Sequence, residues 1–374
     1  MLKGMHLTLL VGPVVPLPVP QSVLDALTGI EVTNNTDGPS GFQLTFSVSN
    51  KSPLQTIFLV AGGLTPLLRV VIVVTVNGTP QVLMDGLMTR NDVTPGSEPG
   101  KFTLTVTGED LTKAMDLIDF TGLPYPAMPV EVRVLLCIAK YAMFGMIPLI
   151  IPSLMPDVPI PIERIPTHQG TDLQYVRQLA AQAGYVFYVD PGPVPGTNVA
   201  YWGPEIKVGS PQPALNLDMD AHKNVDSLRF NFNTANTTIP IVLIQNSLTK
   251  IPIPLPIPKL NPLQPPLGAI PAPITNVTVL RETAKLPPAA AILRGLAAAS
   301  MSADAVSGSG TLDVVRYGRV LKARQLVGVR GAGTAYDGLY FVKSVTSSIR
   351  RGEFKQSFQL TRNGIVSITP TVPA

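Results

Sequence analysis

Residues 67–88 read LLRVVIVVTVNGTPQVLMDGLM, and this stretch determines the fold class of the first third of the chain. Nearly every residue from Leu67 to Val76 is apolar and most are β-branched, which is typical of a buried strand. Asn77 and Gly78 follow at once. An Asn-Gly pair favours a type I′ turn because both central residues need a positive φ. Val82–Met88 is therefore predicted as the returning strand of a hairpin.

The flanking stretches extend this hairpin into a meander. Upstream, apolar residues alternate with polar ones from Phe42 to Val48, which is the period of a half-buried strand. Downstream, a turn rich in Pro and Gly (Thr94–Gly100) leads to a second alternating stretch, Phe102–Val106. A short helix is predicted from about Asp110 to Ile118. The first region is thus a four-stranded meander closed by a helix.

The middle of the chain divides into two parts. Pro124–Pro166 is rich in Pro, Met, Ile and Leu, and it predicts an extended loop because proline blocks helix interiors. This segment either covers the core of its own chain or is an apolar arm that docks on a neighbouring subunit. Thr171 and Gln174 are then predicted to form the capping box of a helix, and Gly184 is at the position expected for its C′ glycine. Gly170–Trp202 is predicted to be a small α/β unit.

A second β region follows. Leu228, Phe230 and Phe232 alternate with polar residues. A proline-rich tract follows at Ile251–Pro273, and its first part, IPIPLPIP at 251–258, predicts polyproline II. Pro287–Val306 is rich in alanine and predicts a helix. The remaining predicted strands are Val320–Val329, Gly338–Val345 and Phe354–Leu360.

The two β regions resemble each other in order, which suggests an internal duplication. Asp85-Gly86 precedes one strand and Asp337-Gly338 precedes another. Gly-charged-Phe then opens the last strand of each region, at Gly100–Phe102 and at Gly352–Phe354. A chain with two similar β-barrels could present six similar faces as a trimer, and could thereby join a threefold object to a sixfold one.

The predicted fold class is mainly β with minor α: two related barrel domains, a small α/β unit and long proline-rich loops. The predicted domain boundaries are a first barrel at 1–123, an arm at 124–166, the α/β unit at 167–220, a second barrel at 221–366 with an insertion at about 240–310, and a tail at 367–374.

Composition restricts the possible partners. Apolar residues make up 45% of the chain and charged residues 14%, against about 25% charged in typical domains. Much of the surface is therefore expected to be covered by protein, because prolines and charges interrupt every apolar run long enough to span a bilayer. We expect no signal peptide. The small positive net charge of +4 argues against nucleic acid, and Arg350, Arg351 and Lys355 fit a solvated hairpin tip.

The sequence offers little catalytic chemistry. His6, His168 and His222 are scattered and lack metal-ligand spacing. Cys137 lies in an apolar run and is expected to be a buried, inert thiol. Asp218, Asp220 and Asp226 are crowded enough to suggest a cell-wall hydrolase, but a solvated acidic turn explains them better. We therefore expect no catalytic residues, metal or cofactor.

Two segments resemble a known family. One is the helix and strand entry at 171–185, TDLQYVRQLAAQAGY; the other is the closing strand pair, DGLYFVKSV at 337–345 with GEFKQSFQLTRNG at 352–364. They are similar to the phage late control D proteins, which are the central hubs of contractile tails, and to the N-terminal part of the VgrG spike proteins. A histidine that often follows the first closing strand in that family is replaced here by Thr346-Ser347-Ser348.

The resemblance implies a trimeric baseplate hub of a phage tail or contractile injection system. Such a hub would join a hexameric inner tube to a separate spike protein, beside baseplate wedge proteins, and would assemble in the bacterial cytoplasm without membrane insertion. The alternatives are a β-rich tail-tip adhesin and, behind it, a tail-associated hydrolase. The residues expected to shape the hub and its interfaces are Asn77, Gly78, Phe102, Met143, Phe144, Met146, Leu179, Gly184, Gly338, Tyr340, Phe354 and Phe358.

Overall fold

The protein is mainly β, with several sheets and few helices, as predicted. The computed structural model describes residues 5–49, 58, 67–96, 100–153, 158–162, 164–218, 223–233, 238–245, 251–258, 264–286, 288–301 and 304–369. No helix among these residues is long and apolar enough to cross a membrane. The domain boundaries and the closure of each barrel stay predictions.

The first β region contains the four predicted strands, but the prediction of a simple four-stranded meander is wrong, because the strand at Gly41–Ser49 pairs with Lys101–Asp110 and not with Arg69–Val76. The turn between its central strands has φ 49° at Asn77 and φ 81° at Gly78, which confirms the type I′ prediction. The predicted helix after the meander is a 3₁₀ helix, Leu111–Asp116, whose first turn is capped by the Asp110 side chain. The elements of this region are β1 (Met5–Gly12), β2 (Leu17–Pro18), α1 (Gln21–Ala26), β3 (Leu27–Asn35), β4 (Gly41–Ser49), β5 (Arg69–Val76), β6 (Thr79–Pro95) and β7 (Lys101–Asp110).

The middle region is more regular than predicted. A helix occupies part of the expected extended loop, because the prolines flank residues 130–147 and do not interrupt them: Pro129 is the N-cap and Pro148 follows. The predicted helix with its capping box and Gly184 C-cap is confirmed. The elements are α2 (Val130–Ala139), β8 (Met146–Ile150), α3 (Asp172–Ala183), β9 (Val186–Pro191) and β10 (Asn198–Gly203), and the three strands form one sheet in the order β8-β10-β9.

The second β region carries an inserted sheet. The polyproline II prediction is wrong for 252–256, which pair as a strand with 238–245. The predicted strand at 320–329 begins only at Leu326, since the N–H groups of Leu321 and Lys322 donate to glutamine side chains. The elements are β11 (Gln212–Asn216), β12 (Val225–Phe232), β13 (Thr238–Gln245), β14 (Pro252–Pro256), β15 (Gly268–Pro271), β16 (Asn276–Leu280), α4 (Pro288–Met301), β17 (Val306–Asp313), α5 (Val314–Tyr317), β18 (Leu326–Arg330), β19 (Gly338–Arg350), β20 (Glu353–Arg362) and β21 (Gly364–Ser367).

The two β regions have the same strand order. In the first it is β3-β4-β7-β6-β5, and in the second it is β12-β17-β20-β19-β18, with antiparallel pairing throughout. The two repeats also share two of their bulges. A bulge leaves Thr89 of β6 without a ladder partner in the first repeat, and the matching bulge in the second repeat does so for Lys343 of β19. A second pair of matching bulges lies at Thr28 of β3 and Asp226 of β12. A β-bulge is a specific local device, so two bulges at matching positions support a duplicated module.

The bulges correct the alignment of the sequence motifs. When Thr89 is matched to Lys343, Phe102 corresponds to Phe354 and the Gly-charged-Phe motifs coincide. The Asp-Gly motifs do not coincide, because Gly86 then corresponds to Tyr340 and not to Gly338. One of the two motifs that suggested the duplication is therefore a chance match.

The repeats join into one sheet. The second half of β19 pairs with β3, from Ser344 opposite Asn35 to Arg350 opposite Gly29. We call this pairing the internal seam. A common core lies beneath it, and its buried side chains come from both repeats.

Candidate assembly surfaces and a buried polar cluster

Helix α2 is apolar on both faces. Val134, Cys137 and Ile138 are buried against the α/β unit, whereas Val132, Leu135 and Leu136 are each 40–42% exposed. Met143 follows on the next turn and is 61% exposed. We call these four exposed residues the arm surface. A helix that is apolar all round is normally covered, so this surface is suited to a protein partner.

The inserted sheet exposes a second apolar surface. Its order is β14-β13-β16, and α4 covers the face that carries Val242. By register, the opposite face carries Ile241 together with Val277 and Val279 of β16. Both valines are exposed. A sheet face made of such apolar side chains normally packs against another layer.

Half of the twelve predicted hub residues are core residues of this chain. Phe144, Met146 and Leu179 are buried together in the α/β core, and Tyr340, Phe354 and Phe358 are buried in the common core. The turn residues Asn77 and Gly78 and the side chain of Met143 are exposed, while Phe102, Gly184 and Gly338 lie at turns or strand ends.

A buried ion pair connects the first repeat to the α/β unit. Arg69 donates from Nε and Nη2 to the two carboxylate oxygens of Asp85, at 2.7 Å each, and both side chains are almost wholly buried. The amide of Asn198 on β10 donates to Asp85 at 2.9 Å, and Arg69 donates to the Phe144 carbonyl. The sequence did not predict this pair, although an arginine at the start of an otherwise almost wholly apolar strand was a signal for it.

A second network holds the α/β unit against both repeats. Lys343, the bulged residue of β19, donates to Glu205 at 2.9 Å and pairs with Asp37 at 2.7 Å. Lys207 pairs with Asp304 at 2.8 Å and with Glu205 at 3.4 Å. The attraction of Glu205 and Asp37, acting against burial, raises the pKa of Lys343 above its usual range. The bulge thus turns one side chain out of the sheet to make these contacts.

A polar cluster lies beneath α2. Ligand atoms of Cys137, His168 and Asp172 come within 4.8 Å of one another, and all three residues are buried. Lys140 donates to both oxygens of Asp172, at 2.9 and 3.0 Å, and Tyr141 donates to the same carboxylate at 2.9 Å. This arrangement brings His168 to a cysteine and a carboxylate, which its position in the sequence did not predict.

The cluster is better suited to structure than to catalysis or metal binding. Cys, His and Asp are a donor set that Zn²⁺ accepts, but the Lys140 ammonium already neutralises Asp172 where a cation would bind. Burial first, and then the charge of Asp172, raise the pKa of the Cys137 thiol to about 12. A catalytic cysteine needs the opposite shift, toward the thiolate. The cluster therefore ties α2 to the N-terminus of α3.

We expect Cys137 to resist alkylation in the folded protein. The thiol is buried and protonated at neutral pH, and the chain has one cysteine, so labelling reports on this site alone. A thiol-reactive dye should label the native protein negligibly over an hour at pH 7.5 and should label one site per chain in denaturant. Rapid labelling of the native protein would contradict the burial of the cluster.

Folding stability should fall as the pH is lowered below about 6.5. Burial lowers the pKa of His168 below its ordinary value, and the nearby Asp172 only partly opposes this. The unfolded chain therefore binds a proton on His168 at a higher pH than the native chain does, so the free energy of unfolding decreases on acidification through that window. Urea titrations at pH 7.5 and 5.5 test this, and His168→Gln should have a smaller difference between the two pH values than the parent protein.

The candidate hydrolase residues do not form a carboxylate pair in the described residues. Asp226 pairs with Arg316 at 2.5 Å and Asp218 is exposed, while Asp220 and His222 lie outside the described residues. His6 is exposed on β1. The basic cluster is at a hairpin tip, as predicted, where Lys355 pairs with Glu353.

No protein-family model and no curated protein matches this sequence. Solved structures do match. A tail protein from Neisseria meningitidis is similar at a TM-score of 0.65 and 15% identity, over 97% of this chain and 98% of that one. A 43 kDa tail protein of prophage MuSo2 from Shewanella oneidensis is similar at a TM-score of 0.64 and 14% identity, over 96% and 98%.

The same fold occurs within a larger protein. A chain of the Francisella PdpA–VgrG complex matches at a TM-score of 0.62 and 9% identity, and the match covers all of this chain but 55% of that one. At these identities the similarity shows a shared fold. This chain therefore has the fold of phage tail proteins and of one chain in a VgrG-containing complex.

Proposed function

We propose that this chain is a structural baseplate hub of a phage tail or contractile injection system, of the late control D type. Three copies would join a hexameric inner tube to a separate spike protein. The observation that carries this proposal is the duplicated module: two repeats with the same strand order and matching bulges in one chain. Three such chains offer six similar modules, which is the number that a hexameric tube requires.

The exposed apolar surfaces support an obligate assembly. The arm surface and the outer face of the inserted sheet are apolar on a chain with few charges. Obligate interfaces are large and hydrophobic, with more than about 2,000 Å² buried. The arm surface would be covered by a neighbouring copy, and the spike and the baseplate wedge proteins would cover others.

The solved structures support the same assignment by their fold. Two of them are named tail proteins and match over nearly their whole length. In the proposal, this chain acts by binding other proteins and has no catalytic role or cofactor. It assembles in the bacterial cytoplasm before the particle is released.

Mass measurement tests the proposal directly. Light scattering on the purified chain should give a trimer at micromolar concentration, and the trimer should bind a hexameric tube ring in a ratio of one to one. A monomer at every concentration would contradict the hub and would favour an adhesin. Activity on cell-wall material would contradict the absence of a catalytic role.

A further inference from the structure

Each of the two strands in the internal seam has a counterpart in the other repeat, and within the described residues one edge of each counterpart is unpaired. By the bulge alignment, the second half of β19 corresponds to Arg90–Pro95 of β6, and β3 corresponds to β12. Arg90–Pro95 pairs on one side with β7, while β5 ends its pairing at Leu87. β12 pairs on one side with β17. Within the described residues, these two open edges are the counterparts of the two strands that form the seam.

We propose that Asn91–Pro95 of one copy pairs with Leu228–Phe232 of the next copy, antiparallel and with Val93 opposite Phe230. The register is transferred from the internal seam, where Ser347 lies opposite Val32. The pairing is head-to-tail, so it generates a ring if the rotation closes. That the ring contains three copies rests on the proposed function; the pairing of the two edges does not.

Hydrogen-bond direction on β6 agrees with this register. The N–H of Gly96 donates to the Lys101 carbonyl at 2.9 Å, so the backbone of residue 96 points toward β7. Backbone polar groups alternate along a strand. Those of Val93 and Asn91 therefore point to the open edge, and so do those of Pro95, which has no N–H and can only accept.

Hydrogen-bond direction on β12 agrees with the register as well. The N–H of Asn233 donates to the Ala305 carbonyl at 2.9 Å, toward the β17 side. By alternation, the backbone groups of Phe232 and Phe230 point to the open edge. The transferred register places Val93 opposite Phe230 and Asn91 opposite Phe232. Both are pairs in which each residue can donate to and accept from the other.

The side chains along the two edges are complementary. In the seam, the Thr33 and Thr346 hydroxyls share a hydrogen bond of 3.0 Å. Their counterparts are Asn231 and Asp92, an amide donor and a carboxylate acceptor. Arg229 lies diagonal to Asp92 in the same register, and opposite charges at such positions stabilise a strand pair.

The two open edges also expose side chains whose counterparts in the internal seam are buried. Val32 is wholly buried in the seam and Ser347 is 2% exposed, whereas Val93, the counterpart of Ser347, is 48% exposed. Phe230, the counterpart of Val32, is only partly buried. A neighbouring copy on these edges would cover both. An exposed edge strand with apolar residues is otherwise an aggregation hazard.

Cysteine crosslinking tests the register. Asp92 and Asn231 would form a non-hydrogen-bonded pair with Cα atoms about 4.5 Å apart, within the range of a disulfide. The double variant Asp92→Cys/Asn231→Cys should give covalent oligomers on a non-reducing gel after mild oxidation, and each single variant should not, because Cys137 is buried. The control Asp92→Cys/Arg229→Cys is two residues out of register, with the positions about 7–8 Å apart, and should crosslink at least tenfold less.

A backbone variant tests the hydrogen bonds. Val93→Pro removes one N–H that points to the open edge, so it should weaken association at least tenfold while the far-ultraviolet circular dichroism of the chain is unchanged; Val93→Ala is the matched control. If light scattering shows a trimer but the two cysteine pairs crosslink equally or not at all, the pairing is wrong and the hub stands. A parent protein that is monomeric at every concentration overturns both.

Discussion

Arg69→Met is expected to destabilise the fold by about 3–5 kcal/mol, since it leaves the Asp85 carboxylate buried without its counter-charge. Both side chains of the pair are at most 3% exposed, and the two hydrogen bonds between them are 2.7 Å long. Loss of the ion pair would weaken both the first repeat and the α/β unit, because Asp85 also accepts a hydrogen bond from Asn198 of the α/β unit. Urea unfolding at fixed protein concentration measures the change.

Two further variants isolate the effect of burial. Lys355→Met breaks an ion pair whose side chains are 48% and 45% exposed, and it should cost at most about 1 kcal/mol. The double variant Arg69→Met/Asp85→Leu removes both charges, and it should be more stable than Arg69→Met alone. If Arg69→Met costs no more than Lys355→Met, the buried pair does not hold the repeat to the α/β unit.

Gly338→Val should be the next most damaging substitution. Gly338 has φ 123°, and a Cβ there would lie 2.3 Å from Ser367 Oγ and 2.4 Å from Ser367 Cβ. A non-glycine residue in such a conformation costs about 1–3 kcal/mol, and forcing apart packed groups costs about 1–3 kcal/mol more. Calorimetric unfolding should show the combined loss, and the yield of assembled particles should fall while expression continues.

Gly352→Val separates the cost of the backbone conformation from the cost of forcing apart packed groups. Gly352 also has a positive φ, 82°, but nothing lies within 4 Å of the position that a Cβ would occupy there. It should therefore show the backbone cost alone. If Gly338→Val and Gly352→Val lower the stability equally, β21 moves away from the new side chain at little cost. The contact between Gly338 and Ser367 then does not fix the position of β21.

Local signals in the sequence predicted local structure well. The Asn77-Gly78 turn, the capping box at Thr171 and the C-cap at Gly184 were predicted because each depends on a few neighbouring residues. Helix α2 was missed because it is apolar on both faces and so has no periodic contrast. The strand at 252–256 was missed because polyproline II and β backbones have similar dihedral angles, and the pairing with β13 decides between them.

The candidate sites were less predictable. Arg69 and Asp85 lie on adjacent strands, and the strand register brings them together. Cys137 is distant in sequence from His168 and Asp172, and it joins them because α2 packs on α3. No spacing rule contains this information, since the contacts depend on the packing of separate elements.

The sequence by itself determined that the chain is mainly β, that its first hairpin turns at Asn77-Gly78, and that some form of module occurs twice. Only the tertiary structure decided how the two modules align, because a bulge is defined by the partner strand opposite it and not by the bulged residue. For the same reason, only the tertiary structure showed which strand edges are paired in the internal seam and which two are left open.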